Sequence, residues 1–148
     1  MGSSLCPNVR RVWSALLGLE QGLLAPVRSA LKARGVSSVE EAEALLALKD
    51  APEHKLRPFA LERALRRPQY TTSRVVDRLV QDERAVRETC PSDLRGHDVR
   101  LTDTGLSAAE AVLEVYTELL MQAIGGRLGV ERVPEIASAL ERLVPAEG

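Results

Sequence analysis

Four arginines and a run of hydroxyl-bearing side chains lie within residues 66–78, and their chemistry suits the binding of phosphate groups. Arg74 and Arg78 are four positions apart, so on a helix they share one face. Arg74 is nearer the predicted start of that helix, which makes it the better candidate for a contact with phosphate or a base edge. Arg78 could instead pair with Asp77 or with a neighbouring hairpin, or it could be a solvated surface side chain.

Three hydroxyl residues directly precede Arg74 and have two compatible roles. Thr71, Thr72 and Ser73 could cap the start of the helix. They could also contact DNA there, because the free backbone amides of a helix N-terminus bind phosphate. We expect Thr72, Ser73 and Arg74 to face outward, together with Gln69.

The residues just before this helix offer further polar contacts. Gln69 could form a bidentate pair with adenine, and a solvated surface glutamine is an equal alternative. Arg66 and Arg67 stand immediately before Pro68, where they could clamp phosphate or remain a solvated pair. The segment as a whole therefore predicts a surface that binds nucleic acid.

Helical periodicity and turn residues predict the elements that hold these side chains. A first helix covers residues 7–34, with a kink or break at Pro26, and Gly35 ends it. A second helix follows over residues 38–48, because Ser38 and Glu41 have the spacing of a capping box, with Ser37 and Glu40 as the other possible register.

The middle of the chain combines two short helices with a β-hairpin. Residues 59–66 and 71–81 form helices joined by a tight connection, which matches a helix-turn-helix. Residues 84–90 and 97–101 alternate in polarity like strands, and residues 91–96 have the composition of a turn. A hairpin directly after a helix-turn-helix predicts a winged helix.

Arg95 lies in the predicted turn, beside Gly96. A long cationic side chain on a hairpin tip suits a narrow minor groove, whose negative potential attracts arginine. The alternative is a solvated loop charge.

The C-terminal third of the chain returns to helix, in two segments with one apolar stripe each. The stripes run from Val112 to Ile124 and from Val133 to Leu143. A single small domain gives these stripes and the first helix little to pack against, so we expect a homodimer that buries them. The predicted architecture is mainly α with a small β-hairpin wing, flanked by N- and C-terminal dimerisation helices.

Composition and charge agree with one DNA-facing domain. The chain has 148 residues, 45% of them hydrophobic and 3% aromatic, and a net charge of −1. Residues 55–101 contain eleven Lys/Arg and seven Asp/Glu, a net charge of +4, whereas the remainder carries −5. A basic segment on an acidic scaffold fits a module that faces nucleic acid.

Several other classes of protein are disfavoured by the sequence. It contains no phosphate-binding loop, dinucleotide turn or zinc-protease motif, so we expect no enzyme, no cofactor and no metal site. No run of residues is apolar enough for a membrane span, and no signal peptide is visible, which predicts a cytoplasmic protein. Cys6 and Cys90 are best interpreted as structural or incidental thiols.

Three motifs resemble the MarR family of bacterial regulators. They are TTSRVVDRL at residues 71–79, DLRG at residues 93–96 and VRLTDTG at residues 99–105. The resemblance extends over nearly the whole chain in helix order and length. It implies a triangular dimer, with residues 7–34 and 104–144 as dimerisation helices and residues 38–101 as the DNA-binding lobe.

The resemblance also assigns roles to individual residues. It implies that residues 71–74 lie on a recognition helix in the major groove and that Arg95 is the wing arginine, reaching a minor groove. Asp77 falls where the family often has an acid that pairs with the wing arginine, and Asp93 shares this wing-orienting role. Family members often bind small, sometimes phenolic, ligands between the DNA-binding lobe and the dimer helices.

These inferences predict a dimeric, sequence-specific regulator that binds a pseudo-palindromic operator as a repressor and is released by a small aromatic ligand. Departures from the family pattern are Arg67, in place of an apolar residue, and the charged connection at residues 81–84, in place of a glycine-containing turn. The acidic flanks and that connection leave one alternative, a winged-helix module that binds proteins instead of DNA.

Overall fold

The computed structural model describes residues 4–90 and 92–145. Helix α1 covers Pro7–Leu19 and continues through a π-helical turn, Glu20–Leu24, into α2, Ala25–Ala33. The predicted interruption near Pro26 is therefore present as a widened turn rather than as a break. Gly35 follows α2 with φ of 76°, a left-handed conformation that glycine adopts without strain, as predicted.

Helix α3, Val39–Asp50, begins as predicted, because the Ser38 hydroxyl accepts a hydrogen bond from the backbone N–H of Glu41. A 3-10 turn, Pro52–His54, and a two-residue strand β1, Lys55–Leu56, then lead into α4, Pro58–Leu65. Helix α5, Gln69–Gln81, starts two residues earlier than expected. Pro68 precedes the helix, and its carbonyl accepts from the backbone N–H of Thr72 at 3.2 Å.

The hairpin extends closer to its tip than the sequence indicated. Strand β2 covers Ala85–Cys90 and pairs antiparallel with β3, Asp93–Leu101. The predicted turn over residues 91–96 was too long, since four of its six residues belong to β3. Strand β1, which was not predicted, pairs with the other edge of β3 and gives the order β1-β3-β2.

Two helical segments complete the chain. Helix α6, Asp103–Leu120, continues into a π-helical turn, Met121–Gly126. A 3-10 turn, Val130–Arg132, precedes α7, Val133–Glu141. None of the helices in the described part of the chain is both long and apolar enough to cross a membrane.

The hydrophobic core joins the helix-turn-helix to α2, α3 and α6. Its largest fully buried apolar side chains are Leu31, Leu45, Leu48, Leu61 and Leu79. Val112 is also fully buried in this core, so part of the α6 stripe is covered within one protomer and needs no partner. The expectation that a second copy buries the whole stripe from Val112 to Ile124 was therefore wrong for this part of it. In contrast, neither α1 nor α7 contributes a buried residue.

Thr102 connects the start of α6 to the turn that follows α5. Its hydroxyl accepts from the backbone N–H of Gly105 at 3.0 Å and donates to the carbonyl of Glu83 at 2.6 Å. We expect Thr102→Ala to lower the free energy of unfolding by about 1–2 kcal/mol, because the helix loses its cap and the turn loses a bond. Urea denaturation measures this loss. Thr102→Ser, which keeps the hydroxyl, is the matched control, and an equal loss in both variants would contradict the role of the hydroxyl.

Candidate nucleic-acid interface

The outer face of α5 carries most of the polar residues that the sequence predicted for contact. Gln69, Ser73 and Arg74 are exposed, and Thr71 is half-buried. Within the described residues Arg74 has no ion-pair partner, so its guanidinium is available to an external anion.

Thr72 does not face outward, contrary to the prediction. Its side chain is 2% exposed, and its hydroxyl lies 3.5 Å from the carbonyl of Pro68, to which it donates. The physical reason is helical phase: Thr72 is three residues before Val75 and four before Val76, both of which are buried. A hydroxyl on that face packs into the core, so Thr72 is removed from the set of predicted DNA contacts.

Of the three other arginines predicted for contact, Arg67 and Arg78 have ion-pair partners within the protein. Arg66 is exposed and has a left-handed backbone conformation at the end of α4, with φ of 51°. Arg67 is also exposed, and its guanidinium lies 3.5 Å from the carboxylate of Glu40. Arg78 pairs with Asp82 at 2.9 Å, one helical turn further along. Exposed ion pairs are weak, so an incoming phosphate can compete for Arg67 and Arg78.

Asp77 joins α5 to the wing, but through a different arginine from the one expected. Its carboxylate accepts a hydrogen bond from Arg87 on β2. The predicted partner was Arg95, which lies at the far end of the hairpin, whereas Arg87 lies on the strand that follows α5. Asp77 thus contacts the base of the wing and leaves the tip arginine unpaired.

The tip of the wing presents Arg95 to solvent. Arg95 is exposed and has no ion-pair partner among the described residues. Its backbone N–H donates to the carboxylate of Asp93 at 3.1 Å, which agrees with the wing-orienting role expected of Asp93. This contact shapes the turn and leaves the Arg95 side chain free.

Sequence reasoning missed two residues on the surface formed by α5 and the wing. Tyr70 is 68% exposed in the first turn of α5, four positions before Arg74. An aromatic residue on the polar side of a helix, in a chain that is only 3% aromatic, was an available signal. Arg57, which precedes α4, contacts the wing. No local pattern could have identified it.

A buried ion pair lies between α3 and the connection that follows α5. Glu41 of α3 is 1% exposed and accepts hydrogen bonds from the backbone N–H and hydroxyl of Ser37. Arg84, in the connection between α5 and β2, pairs with the Glu41 carboxylate at 2.5 Å. The same guanidinium donates to the carbonyl of Gly35 at 2.8 Å. The charged connection noted in the sequence therefore ties the end of α5 to α2 and α3.

Neither cysteine is paired with the other: Cys6 is exposed and Cys90 is buried. The hydroxyl of Ser92, which lies 3.1 Å from the Cys90 sulfur, lowers the pKa of that thiol. Among the described residues no three His, Cys, Asp or Glu side chains are grouped so that they could hold a metal ion.

Part of the chain matches the sequence model of a known family. Residues 34–96, which include α3 to α5 and most of the wing, match the sequence model of the MarR family. These residues resemble the MarR family, and the chain has the winged-helix fold of its members. Members of this family are transcriptional regulators rather than enzymes, and the prediction of no enzymatic activity agrees with the resemblance. No functionally curated protein matches the sequence significantly.

Solved structures show the same fold over nearly the whole chain. Sco3205 of Streptomyces coelicolor, a MarR family transcriptional regulator in complex with DNA, has a TM-score of 0.88 at 22% identity, covering 99% of this chain and 95% of its own. A mutant of E. coli MarR complexed with operator DNA has a TM-score of 0.77 at 21% identity, covering 97% and 100%. BpsR of Bordetella bronchiseptica, whose DNA binding is regulated by 6-hydroxynicotinic acid, has a TM-score of 0.78 at 22% identity, covering 92% and 94%.

Proposed function

We propose that this transcriptional regulator binds double-stranded DNA as a homodimer, with α5 in a major groove and the wing tip in an adjacent minor groove. The observation that carries the proposal is the pair of exposed arginines, Arg74 on α5 and Arg95 on the wing. Both lack an ion-pair partner within the described part of the chain. Gln69, Thr71 and Ser73 add exposed or half-exposed hydrogen-bonding groups around Arg74.

Phosphate contacts set the register of such a complex, while base-edge contacts select its sequence. Arg66, Arg67 and Arg78 are assigned to phosphate, because each is exposed at an edge of the recognition helix. Gln69 and Arg74 are assigned to base edges, since glutamine pairs with adenine and arginine with guanine in the major groove.

The dimer is supported by the surface of the terminal helices. Helix α1 leaves Val9, Val12, Trp13 and Leu17 more than half exposed, and the C-terminal region leaves Leu143 61% exposed. A monomer rarely exposes so extensive an apolar surface without a partner. We propose that residues 7–34 and 104–144 form the dimer interface and residues 38–101 the DNA-binding lobe.

A two-fold dimer would read a pseudo-palindromic operator, because its symmetry is repeated in the half-sites. We further propose that the protein acts in the cytoplasm as a repressor, and that a small aromatic ligand relieves repression. The complexes of E. coli MarR with operator DNA and the regulation of BpsR by 6-hydroxynicotinic acid support this part of the proposal. Such a ligand must bind the DNA-bound and DNA-free conformations with different affinity.

Arg74→Ala and Arg95→Ala are each expected to weaken DNA binding about tenfold to a hundredfold. The affinity for selected genomic fragments is measured by fluorescence anisotropy at two salt concentrations. Each phosphate contact that is lost should reduce the slope of log affinity against log salt by about 1. Lys55→Ala, which removes a positive charge whose amine pairs with Glu53 rather than lying on α5 or at the wing tip, is the control and should bind like the unchanged protein.

The same titration separates the two functional hypotheses. If a properly dimeric sample fails to bind DNA at low salt, the regulator proposal is overturned and the protein-interaction module is favoured. If DNA binds but neither arginine variant changes the affinity, the assignment of these site residues is wrong.

A further inference from the structure

Arg57 connects the start of the helix-turn-helix to the wing. It lies between β1 and α4, and its side chain crosses to β3. Its Nε is 3.3 Å from a carboxylate oxygen of Asp98, and its Nη2 is 3.9 Å from one of Asp93. Asp98 is 9% exposed, so this pair is shielded on one side, whereas Asp93 lies at the outer end of β3.

The path of this side chain depends on Gly96. A Cβ atom at position 96 would lie 1.8 Å from Nη1 of Arg57, well inside van der Waals contact. A larger residue at this position would therefore displace the guanidinium from the place that it occupies beside Arg95. The sequence placed Gly96 in a turn, but it lies within β3, where a strand glycine often marks a close approach of this kind.

The outer half of β3 lacks a second neighbouring strand. Strand β1 pairs only with Val99 and Arg100, so beyond Asp98 one edge of β3 is not covered by β1. An isolated two-stranded hairpin is marginally stable in water. The Arg57 side chain continues from the end of β1 and crosses this part of β3 at Gly96, where it contacts Asp98 and Asp93.

We propose that Arg57 is a positioning residue that holds the wing so that Arg95 is presented to DNA. Asp93 is the intermediate: one carboxylate oxygen faces Arg57, and the other accepts from the backbone N–H of Arg95. Arg57, Asp93 and Arg95 thus form a continuous chain from the helix-turn-helix to the wing tip. The inference rests on the proposed function, because presenting Arg95 matters only if the wing reaches DNA.

Removing Arg57 should affect DNA binding more than folding. The Arg57 side chain is 39% exposed, and ion pairs of such exposure contribute little to stability. A wing without this restraint samples more orientations, and binding must then restrict it at an entropic cost. The loss of affinity should therefore depend on the presence of Arg95.

A double-mutant cycle tests this dependence. Arg57→Ala is expected to weaken DNA binding about five- to tenfold in the otherwise unchanged protein and less than about twofold in the Arg95→Ala background. Lys55→Ala is the matched control, because it removes the same charge two residues earlier and its amine pairs with Glu53 at 3.1 Å instead of with the wing. The effect of Lys55→Ala on DNA affinity should be the same in the presence and in the absence of the Arg95 side chain.

Hydrogen exchange gives a readout that does not require DNA. Amides of residues 93–98 should exchange faster in Arg57→Ala than in the unchanged protein, while Lys55→Ala leaves them unaffected. Unchanged exchange in Arg57→Ala would overturn the positioning role. Equal losses of affinity in both backgrounds would also overturn it and indicate that Arg57 contacts DNA itself. If the unchanged protein binds no DNA, the proposed function fails, and exchange still decides whether Arg57 orders the wing.

Discussion

Arg84→Ala is expected to destabilise the protein by about 3–5 kcal/mol, because it leaves a buried carboxylate without its ion-pair partner. The Glu41 side chain is 2% exposed and that of Arg84 14% exposed, so water cannot readily replace the lost guanidinium. Ser37 would remain as a hydrogen-bond donor to the carboxylate, but it carries no charge. Such a loss is a large part of the roughly 5–15 kcal/mol that stabilises a typical domain.

Urea denaturation of three variants separates the contribution of the pair from that of its burial. Arg84→Ala and Glu41→Ala should each be strongly destabilised. The double variant Glu41→Leu/Arg84→Met, which removes both charges and keeps similar volumes, should be much closer to the unchanged protein, since replacing a whole buried pair is often neutral. A loss below about 1 kcal/mol in Arg84→Ala would show that the carboxylate is not dependent on this partner.

Leu17→Asp is expected to raise the dissociation constant of the proposed dimer by about a thousandfold or more. Two-fold symmetry places the substitution in the interface twice, and each carboxylate loses its hydration against apolar surface. About 4 kcal/mol in total corresponds to a thousandfold. Leu17 is 58% exposed in the isolated chain, so the substitution should leave the fold of the protomer intact.

Sedimentation velocity over a range of concentrations measures the dissociation constant. Val86→Asp introduces the same group at an apolar residue of β2 that is 42% exposed and lies outside the proposed interface, so it should leave the dimer unchanged. DNA affinity should fall with the dimer in Leu17→Asp, because two linked recognition helices bind an operator far more tightly than one. An unchanged protein that sediments as a monomer, or a Leu17→Asp variant that stays dimeric, would contradict this interface.

Much of the fold could be predicted because it is encoded by local patterns. The order of helices and the hairpin follow from apolar periodicity, and the ends follow from capping residues such as Ser38 and Gly35. Strand β1 was not predicted, because two residues carry no periodicity and become a strand only by pairing with β3.

The candidate site could be predicted in part. Exposure of Arg74 and Arg95 agrees with the roles inferred for them. The burial of Thr72 could have been predicted from the sequence, because Thr72 shares a helical face with Val75, Val76 and Leu79. The preference of threonine for helix starts outweighed that periodicity in the sequence-based interpretation.

The sequence alone determined where this protein has helices, where it has a hairpin and which segment is basic, because these properties depend on residues within one or two turns of each other. Only the tertiary structure decided which charged side chains form ion pairs with each other. Arg84 finds Glu41 across 43 positions, and Asp77 meets Arg87 instead of Arg95. Such pairs depend on how helices and strands pack and rotate. A shift of one residue turns a helical side chain by about 100° and directs it to another partner.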